Sequence, residues 1–309
     1  MRRFYFSLIL AIAGLWGLAQ QISLPNNPDS LHFAVIGDSG TGERGQYEVG
    51  DRMVEYRQNF PYDLVLMLGD NIYGGKSPRD YQNKFELPYK RLLDAGVKFY
   101  ASLGNHDEAN STRYKLFNMS GARFYTFKAP KGDVRFFALD SNYMDQAQLA
   151  WLEKELKNSN PNWKICFFHH PLYSSGGRHG SDVQLRRVLE PIFVKYGVNV
   201  VLSGHDHFYE RIKPQLGIYY FVCGGAGQLA VGDIDRTDLT AKGFDRDNHF
   251  MLMEIAGDDL YFQTISRAGQ TVDSGVLHRQ KNKPPEAARI ELAPPAVIPQ
   301  LRAAALAGR

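Results

Sequence analysis

The sequence predicts a mixed α/β sandwich, and two observations lead to that prediction. Through the first two thirds of the chain, apolar runs with the pattern of β-strands alternate with amphipathic helical stretches. The last third carries strand-like runs without helices between them. Strands and helices in alternation, followed by strands alone, favour stacked layers of sheet and helix over a uniform barrel.

Five strand-like runs of the first two thirds each end in residues that can bind metals. The runs are 33–40, 64–73, 99–107, 164–171 and 198–207. Ligands bind at the carboxyl ends of the strands in an α/β sheet. We therefore expect the five run ends to form the walls of one metal site, as in a two-metal phosphoester hydrolase.

Two segments have the periodicity of amphipathic helices. Residues 145–159 place three leucines on one stripe, and Asp145 can cap the first turn. Residues 181–197 repeat the pattern and end at Gly197. Pro191 lies inside the second pattern, so we expect it to kink or interrupt that helix.

The two ends of the chain differ in composition from the body. Residues 1–19 pair two arginines with an uncharged apolar run, which is typical of a secretory signal peptide cleaved near Ala19. The run is short for a membrane span, and the alternative is that the segment is an uncleaved membrane anchor. Residues 281–309 are rich in proline and alanine, which predicts a disordered tail or, alternatively, a docking peptide. The catalytic domain is expected over 20–280, exported to the periplasm or beyond the cell, with no membrane span in the mature chain.

The net charge argues against a nucleic-acid-binding protein, and the two cysteines leave two interpretations. The formal net charge is +3, and the excess lies at the two ends, so the body has no nucleic-acid footprint. Cys166 and Cys223 both lie in apolar runs and can be either buried thiols or a disulfide.

The first two run ends offer oxygen ligands. Asp38 follows the first run, and the GDNIY motif places Asp70 at the end of the second with Tyr73 three residues later. A carboxylate such as Asp70 can bridge two cations, which two-metal hydrolases hold roughly 3.5–4 Å apart. A tyrosinate ligand at Tyr73 indicates a strong Lewis acid, most naturally Fe(III).

The third run ends in GNHD. Asn105 supplies a neutral oxygen ligand, which suits a cation already held by stronger donors. His106 would point at a phosphate group instead, either as a proton donor or as a stabiliser of the anion. We expect Asp107 to orient the loop.

The last two runs and one loop contribute histidines. His169 and His170 are adjacent, and successive side chains leave an extended chain on opposite faces, so only one of the two should serve a given site. His205 and His207 share a face and can meet two different metals of one pair. His179 lies in a glycine-rich loop that is expected to rim the site.

In the order DxG, GDxxY, GNH(D/E), xxxH and GHxH, these motifs resemble those of the purple acid phosphatases, in the calcineurin-like metallophosphoesterase superfamily. The resemblance covers roughly residues 31–275 and is closest to the small, tartrate-resistant type. It implies a four-layer αββα sandwich of two mixed β-sheets, with the metals above the sheet edges. It also implies two metal ions. Fe(III) would be held by Asp38, Asp70, Tyr73 and His207. A divalent Fe, Zn or Mn ion would be held by Asp70, Asn105, His169 and His205.

The resemblance also implies roles for the remaining histidines. Pro171 sets the register that selects His169 over His170 as the ligand. His170 would then lie behind the ligands, as would Asp107. His106 and His179 match the two histidines that the family places beside the metal pair, where they would contact the substrate.

The function implied is that of an exported acid phosphatase. It would hydrolyse small phosphate monoesters as a monomer, by attack of a metal-bound hydroxide on phosphorus. The first alternative is a metal-dependent phosphodiesterase of the same superfamily, but that group usually lacks the tyrosine of GDxxY, so Tyr73 argues against it. A second alternative, an exported metal- or phosphate-binding protein without catalysis, is disfavoured by the complete ligand set.

Overall fold

Two mixed sheets form the centre of the molecule. The computed structural model describes residues 22–75 and 77–279. Within them, one sheet has six strands and the other has seven. In chain order the strands are β1 (Leu31–Ile36), β2 (Leu64–Met67), β3 (Lys98–Ala101), β4 (Tyr125–Lys128), β5 (Val134–Ala138), β6 (Trp163–Phe167), β7 (Val200–Ser203), β8 (Tyr209–Ile212), β9 (Tyr219–Cys223), β10 (Thr240–Phe244), β11 (His249–Ala256), β12 (Asp259–Ser266) and β13 (Thr271–His278).

Helices occupy the connections of the first two thirds of the chain. They are α1 (Arg44–Asn59), α2 (Pro78–Tyr81), α3 (Lys90–Asp94), α4 (Gln146–Lys157) and α5 (Val183–Tyr196). A π-helical turn at Gln82–Glu86 follows α2, and 3₁₀ turns at Ala109–Arg113 and Lys115–Phe117 lie between β3 and β4. The long helices α1, α4 and α5 each connect two parallel neighbours, as a crossover between parallel strands requires.

Each sheet has a parallel part and an antiparallel part. The six-stranded sheet has the order β13-β12-β11-β1-β2-β3, in which β1, β2 and β3 are parallel. The seven-stranded sheet has the order β10-β8-β9-β7-β6-β5-β4, in which β5, β6, β7 and β9 are parallel. The carboxyl ends of the parallel strands therefore lie together at one edge of each sheet.

Three apolar layers hold the sheets and helices together. Between the sheets, Phe33 and Val35 of β1 pack in one cluster with Ile165 of β6. The next residue along β6, Cys166, belongs to the cluster under α4 and α5, because successive strand residues face opposite sides of a sheet. The third cluster joins the six-stranded sheet to α1, where Met53 is fully buried. The layers are therefore helix, sheet, sheet and helix, which confirms the αββα sandwich.

Both predicted long helices are present. Asp145 caps α4 by accepting a hydrogen bond from the backbone N–H of Gln148 at 2.8 Å, and α5 ends at Gly197 with φ of 68°. Of the kink or interruption expected at Pro191, the interruption is wrong, because α5 continues through the proline. Leu189 and Phe193, on either side of the proline, stay buried in the core, and their burial keeps the helix in place despite one missing backbone hydrogen bond.

The two cysteines are buried free thiols. Cys166 packs in the layer beneath α4 and α5, whereas Cys223 packs between the two sheets. Because one whole sheet separates these layers, the two sulfur atoms do not pair.

Two predictions concern segments outside the described residues. The predicted signal peptide (1–19) lies within the segment 1–21, and the predicted disordered tail (281–309) lies within the segment 280–309, neither of which the structure describes. Among the residues that it does describe, no helix combines the length and apolarity that crossing a bilayer takes.

Candidate metal centre

The strand ends of the two sheets meet at one place. Asp38, Asp70 and Asn105 follow β1, β2 and β3 of the six-stranded sheet. His169 and His205 follow β6 and β7 of the seven-stranded sheet. Because the sheets are stacked, these ends face each other across the sandwich, and the five runs singled out in the sequence converge.

The first donor group is rich in oxygen. Ligand atoms of Asp38, Asp70 and His207 all lie within 4.8 Å of one another. The phenol oxygen of Tyr73 is 3.3 Å from Oδ1 of Asp38 and 3.3 Å from Nε2 of His207. Two carboxylates, an imidazole and a phenol could therefore hold one cation.

The second donor group is rich in nitrogen. Nδ1 of His205 is 3.1 Å from Nε2 of His169, which in turn is 2.9 Å from Oδ1 of Asn105. Oδ1 of Asp70 lies 3.5 Å from the same His169 nitrogen. Asp70 therefore contacts both donor groups and stands where a carboxylate bridging two cations would stand.

His170 also faces this group, which contradicts the expectation that only one of the adjacent histidines could do so. Ligand atoms of His169, His170 and His205 lie within 4.8 Å of one another, and the His170 ring is 4.4 Å from that of His205. The physical reason is that β6 ends at Phe167. The chain bends after it, so the strand rule of alternating faces no longer applies.

Three of the candidate ligands have backbone conformations that are rare for residues other than glycine. The φ angles of Asp38, Asp70 and His205 are 54°, 50° and 69°. Such left-handed residues cost on the order of 1–3 kcal/mol each and concentrate at functional sites. The turns bring backbone N–H groups onto the carboxylates: that of His205 donates to Asp38 at 2.9 Å, and that of His106 donates to Asp70 at 2.9 Å.

The glycines of two motifs make room for ligands from other motifs. A Cβ atom on Gly104 would lie 2.2 Å from Oδ1 of Asp70, and one on Gly204 would lie 2.3 Å from Oδ2 of Asp38. Both separations are far inside van der Waals contact. The GNHD and GHDH motifs therefore need glycine because a carboxylate of another motif fills the space.

Burial sets the protonation of the site. It raises the pKa of the Asp38 carboxyl well above its usual range. Burial acts in the same direction on Asp70, but nearby His169 and the N–H of His106 bring the pKa of Asp70 below its ordinary value. The pKa of His205 is lowered by burial and by the surrounding histidines, so that its ring is neutral. Buried carboxylates and neutral imidazoles with free lone pairs both favour a bound cation.

The donor set fits the pair of metals that the motifs imply. Nδ1 of His169 lies 3.0 Å from the carbonyl oxygen of Leu68, which can only accept, so Nδ1 carries the proton and Nε2 presents its lone pair to the site. Carboxylate, amide and imidazole ligands of this kind suit iron, zinc and manganese.

The remaining predicted residues lie around the two donor groups. Asp107 accepts hydrogen bonds from the backbone N–H groups of Gly104, Asn71 and Ile72 at 2.9–3.1 Å, and so ties the GNHD loop to the GDNIY loop. His106 and His179 are exposed at the mouth. The ring of His106 lies 4.8 Å from that of Tyr73, and the ring of His179 lies 4.2 Å from that of His205.

Two buried acids that position the His179 loop were missed in the sequence. Asp206, between the two histidines of GHDH, accepts a short hydrogen bond from the Ser174 hydroxyl. Glu210, four residues later, accepts from the backbone N–H of Ser175 at 2.8 Å.

Comparison with known proteins shows the family of this chain. The family model for calcineurin-like phosphoesterases matches residues 31–209. Purple acid phosphatase 17 of Arabidopsis thaliana is 28% identical over 262 residues, which cover 73% of this chain and 77% of that protein. Tartrate-resistant acid phosphatase type 5 of Homo sapiens is 25% identical over 316 residues, covering 85% of this chain and 97% of that protein.

A solved structure has the same fold. Purple acid phosphatase PPD1 from yellow lupin seeds superimposes with a TM-score of 0.67 at 20% identity, over 89% of this chain and 58% of that chain. The resemblance to purple acid phosphatases inferred from the five motifs is thereby confirmed, as is the sandwich of two mixed sheets. With its family match, its relatives and its two donor groups in agreement, this chain belongs to the calcineurin-like phosphoesterase family.

Proposed function

We propose that this protein is an exported acid phosphatase that hydrolyses phosphate monoesters at a dinuclear metal centre. The observation that carries the proposal is that Asp70 contacts two donor groups of different chemistry. The oxygen-rich group with Tyr73 suits a trivalent ion, and the nitrogen-rich group suits a divalent one. A binding protein for one metal would not need such a shared carboxylate.

In this proposal the chain holds two different cations. Asp38, Asp70, Tyr73 and His207 would hold Fe(III), because two carboxylates and a phenolate would offset its high charge. The divalent Fe, Zn or Mn ion is held by Asp70, Asn105, His169 and His205. A bound metal pair would supply Lewis-acid chemistry: it would lower the pKa of water, from about 16 to about 7 for a divalent ion, and it would offset the negative charge of the phosphoryl group.

The two exposed histidines supply the proton chemistry at the mouth. His106 and His179 approach the centre from different motifs, next to Tyr73 and His205 respectively. Either can donate a proton to the oxygen of the leaving alcohol or stabilise charge on the phosphoryl group. Partial desolvation of the ring and the nearby His207 lower the pKa of His179, and bound cations would lower it further. His179 therefore becomes a proton donor only in acid, which agrees with acid phosphatase activity.

The visible absorption spectrum of the aerobically purified protein tests the metal assignment. A tyrosinate–Fe(III) pair gives a broad visible band, and we expect Tyr73→Phe to abolish it while the divalent ion stays bound. Hydrolysis of a nitrophenyl phosphate monoester should exceed that of the matching diester. A colourless wild-type protein that holds two other metals and prefers the diester would contradict the proposal and favour the phosphodiesterase.

Export of a monomer is part of the same proposal. Export rests on the charged and apolar segment of residues 1–19, which has the pattern of a cleaved signal. Expression of the full chain should release a protein whose first residue lies near Gln20, as read by N-terminal sequencing. Its mass in sedimentation should equal that of a single chain. Retention of the whole apolar segment in the membrane fraction would show an anchor instead.

A further inference from the structure

His170 lies inside the nitrogen-rich donor group, although neither the motif pattern nor the proposed ligand set uses it. Its ring is 4.4 Å from the His205 ring and 5.0 Å from the His169 ring. A ring nitrogen of His170 lies within 4.8 Å of the ligand atoms of both neighbours. Two imidazole nitrogens on one cation, each at about 2.0–2.1 Å from it, cannot be more than about 4.2 Å apart, so a small adjustment brings all three into one sphere.

Ser141 holds the His170 ring in the way that ligand histidines are held. The Ser141 hydroxyl oxygen lies 2.9 Å from Nδ1 of His170 and accepts the backbone N–H of the same residue at 3.1 Å. A hydroxyl oxygen can accept two hydrogen bonds, so Nδ1–H can be the second donor. His169 makes the corresponding contact, with its Nδ1 on the Leu68 carbonyl. In both rings the nitrogen left for the site is Nε2, and a ligating histidine characteristically donates its other N–H to a fixed acceptor.

The surroundings of the His170 ring favour a cation as the partner of its Nε2. The ring is only partly exposed and has imidazoles on two sides. Lone pairs that converge in an enclosed space repel one another, and a shared positive ion removes that repulsion.

We propose that His170 is a third imidazole ligand, through Nε2, of the divalent ion held by His169 and His205. The inference rests on the proposed function, because it assumes that a cation occupies this group. Three imidazoles make the position richer in nitrogen than two would. It should therefore select zinc or ferrous iron over manganese and magnesium, which prefer carboxylates and water.

X-ray absorption at the zinc edge tests the ligand directly. The protein is purified with iron and loaded with zinc, and multiple scattering counts the imidazoles around zinc without reference to activity. We expect three in the wild-type protein and two in His170→Ala, with zinc affinity reduced at least about tenfold in competition with a chelator. Ser141→Ala should lower zinc affinity in the same direction but less, because the ring keeps its nitrogen and loses only its anchor.

His179→Ala is the matched control. Its ring lies slightly closer to that of His205 than the His170 ring does, at 4.2 Å against 4.4 Å, but its nitrogens are not among the three that converge. We expect unchanged imidazole count and zinc affinity in this variant. His170→Gln, which keeps most of the side-chain volume, separates loss of the ligand from loss of packing.

The outcomes separate this inference from the proposed function. Two imidazoles in the wild-type protein and unchanged zinc affinity in both His170 variants would overturn the ligand role. If those variants instead lost only inhibition by inorganic phosphate, His170 would contact the phosphate and the ligand role would equally be overturned. A wild-type protein that takes up no second cation would overturn the proposed function itself.

Discussion

A buried histidine at the start of β11 should make the fold less stable in acid. His249 begins β11, is fully buried and leaves Nε2 without a hydrogen-bond partner among the described residues. Burial lowers its pKa from the ordinary value of 6.5 to about 4. Between these two values the unfolded chain binds a proton that the folded chain does not, so the free energy of unfolding falls as the pH falls from 6.5 to 4.

The size of this effect follows from the two pKa values. At pH 5 the histidine is almost fully protonated in the unfolded chain and almost fully neutral in the folded one. The free energy of unfolding is then about 2 kcal/mol lower than at pH 7.5, and the loss approaches about 3 kcal/mol below pH 4. His249→Leu removes the titrating group and the unpartnered nitrogen together. This part of the decrease in the free energy of unfolding at low pH should therefore disappear.

Urea unfolding at pH 7.5 and at pH 5, followed by tryptophan fluorescence, measures the effect. The difference between the two pH values should be about 2 kcal/mol smaller in His249→Leu than in the wild-type protein. His278→Gln is the control, because that side chain is 78% exposed and should change the difference little. If the free energy of unfolding fell equally between pH 7.5 and pH 5 in the wild-type protein and in His249→Leu, the buried ring would not control stability in acid.

Three further outcomes are expected. Gly104→Ala should lower the metal content, measured by metal analysis, at least about tenfold, because the new Cβ would lie 2.2 Å from Oδ1 of Asp70. Two full equivalents of bound metal in this variant would contradict the close approach. Glu210→Ala should lower the free energy of unfolding by about 1–3 kcal/mol, since it leaves the buried N–H of Ser175 unpaired, and Glu210→Gln, which keeps an acceptor, should lose less. Removal of both metals by chelation should lower the melting temperature, because ligands bound only to the folded state stabilise it; an unchanged value would argue against a bound pair.

The sequence by itself determined the features that depend on near neighbours. Continuous apolar runs marked the strands that lead to Asp38, Asp70 and His205, because a strand that is buried on both faces is apolar at successive positions. The ends of α4 and α5 were readable from Asp145 and Gly197, because a cap acts within one turn of its helix. The parallel arrangement of strands then placed the predicted ligands at one edge.

The tertiary structure alone decided how distant segments meet. That His170 faces the donor group follows from the bend after Phe167, which the strand pattern does not reveal. That α5 continues through Pro191 depends on the burial of its flanks, and that Glu210 holds Ser175 depends on where the His179 loop docks. In each case the outcome depends on how the whole sandwich packs. Local periodicity cannot reveal it, because it reports only on neighbours along the chain.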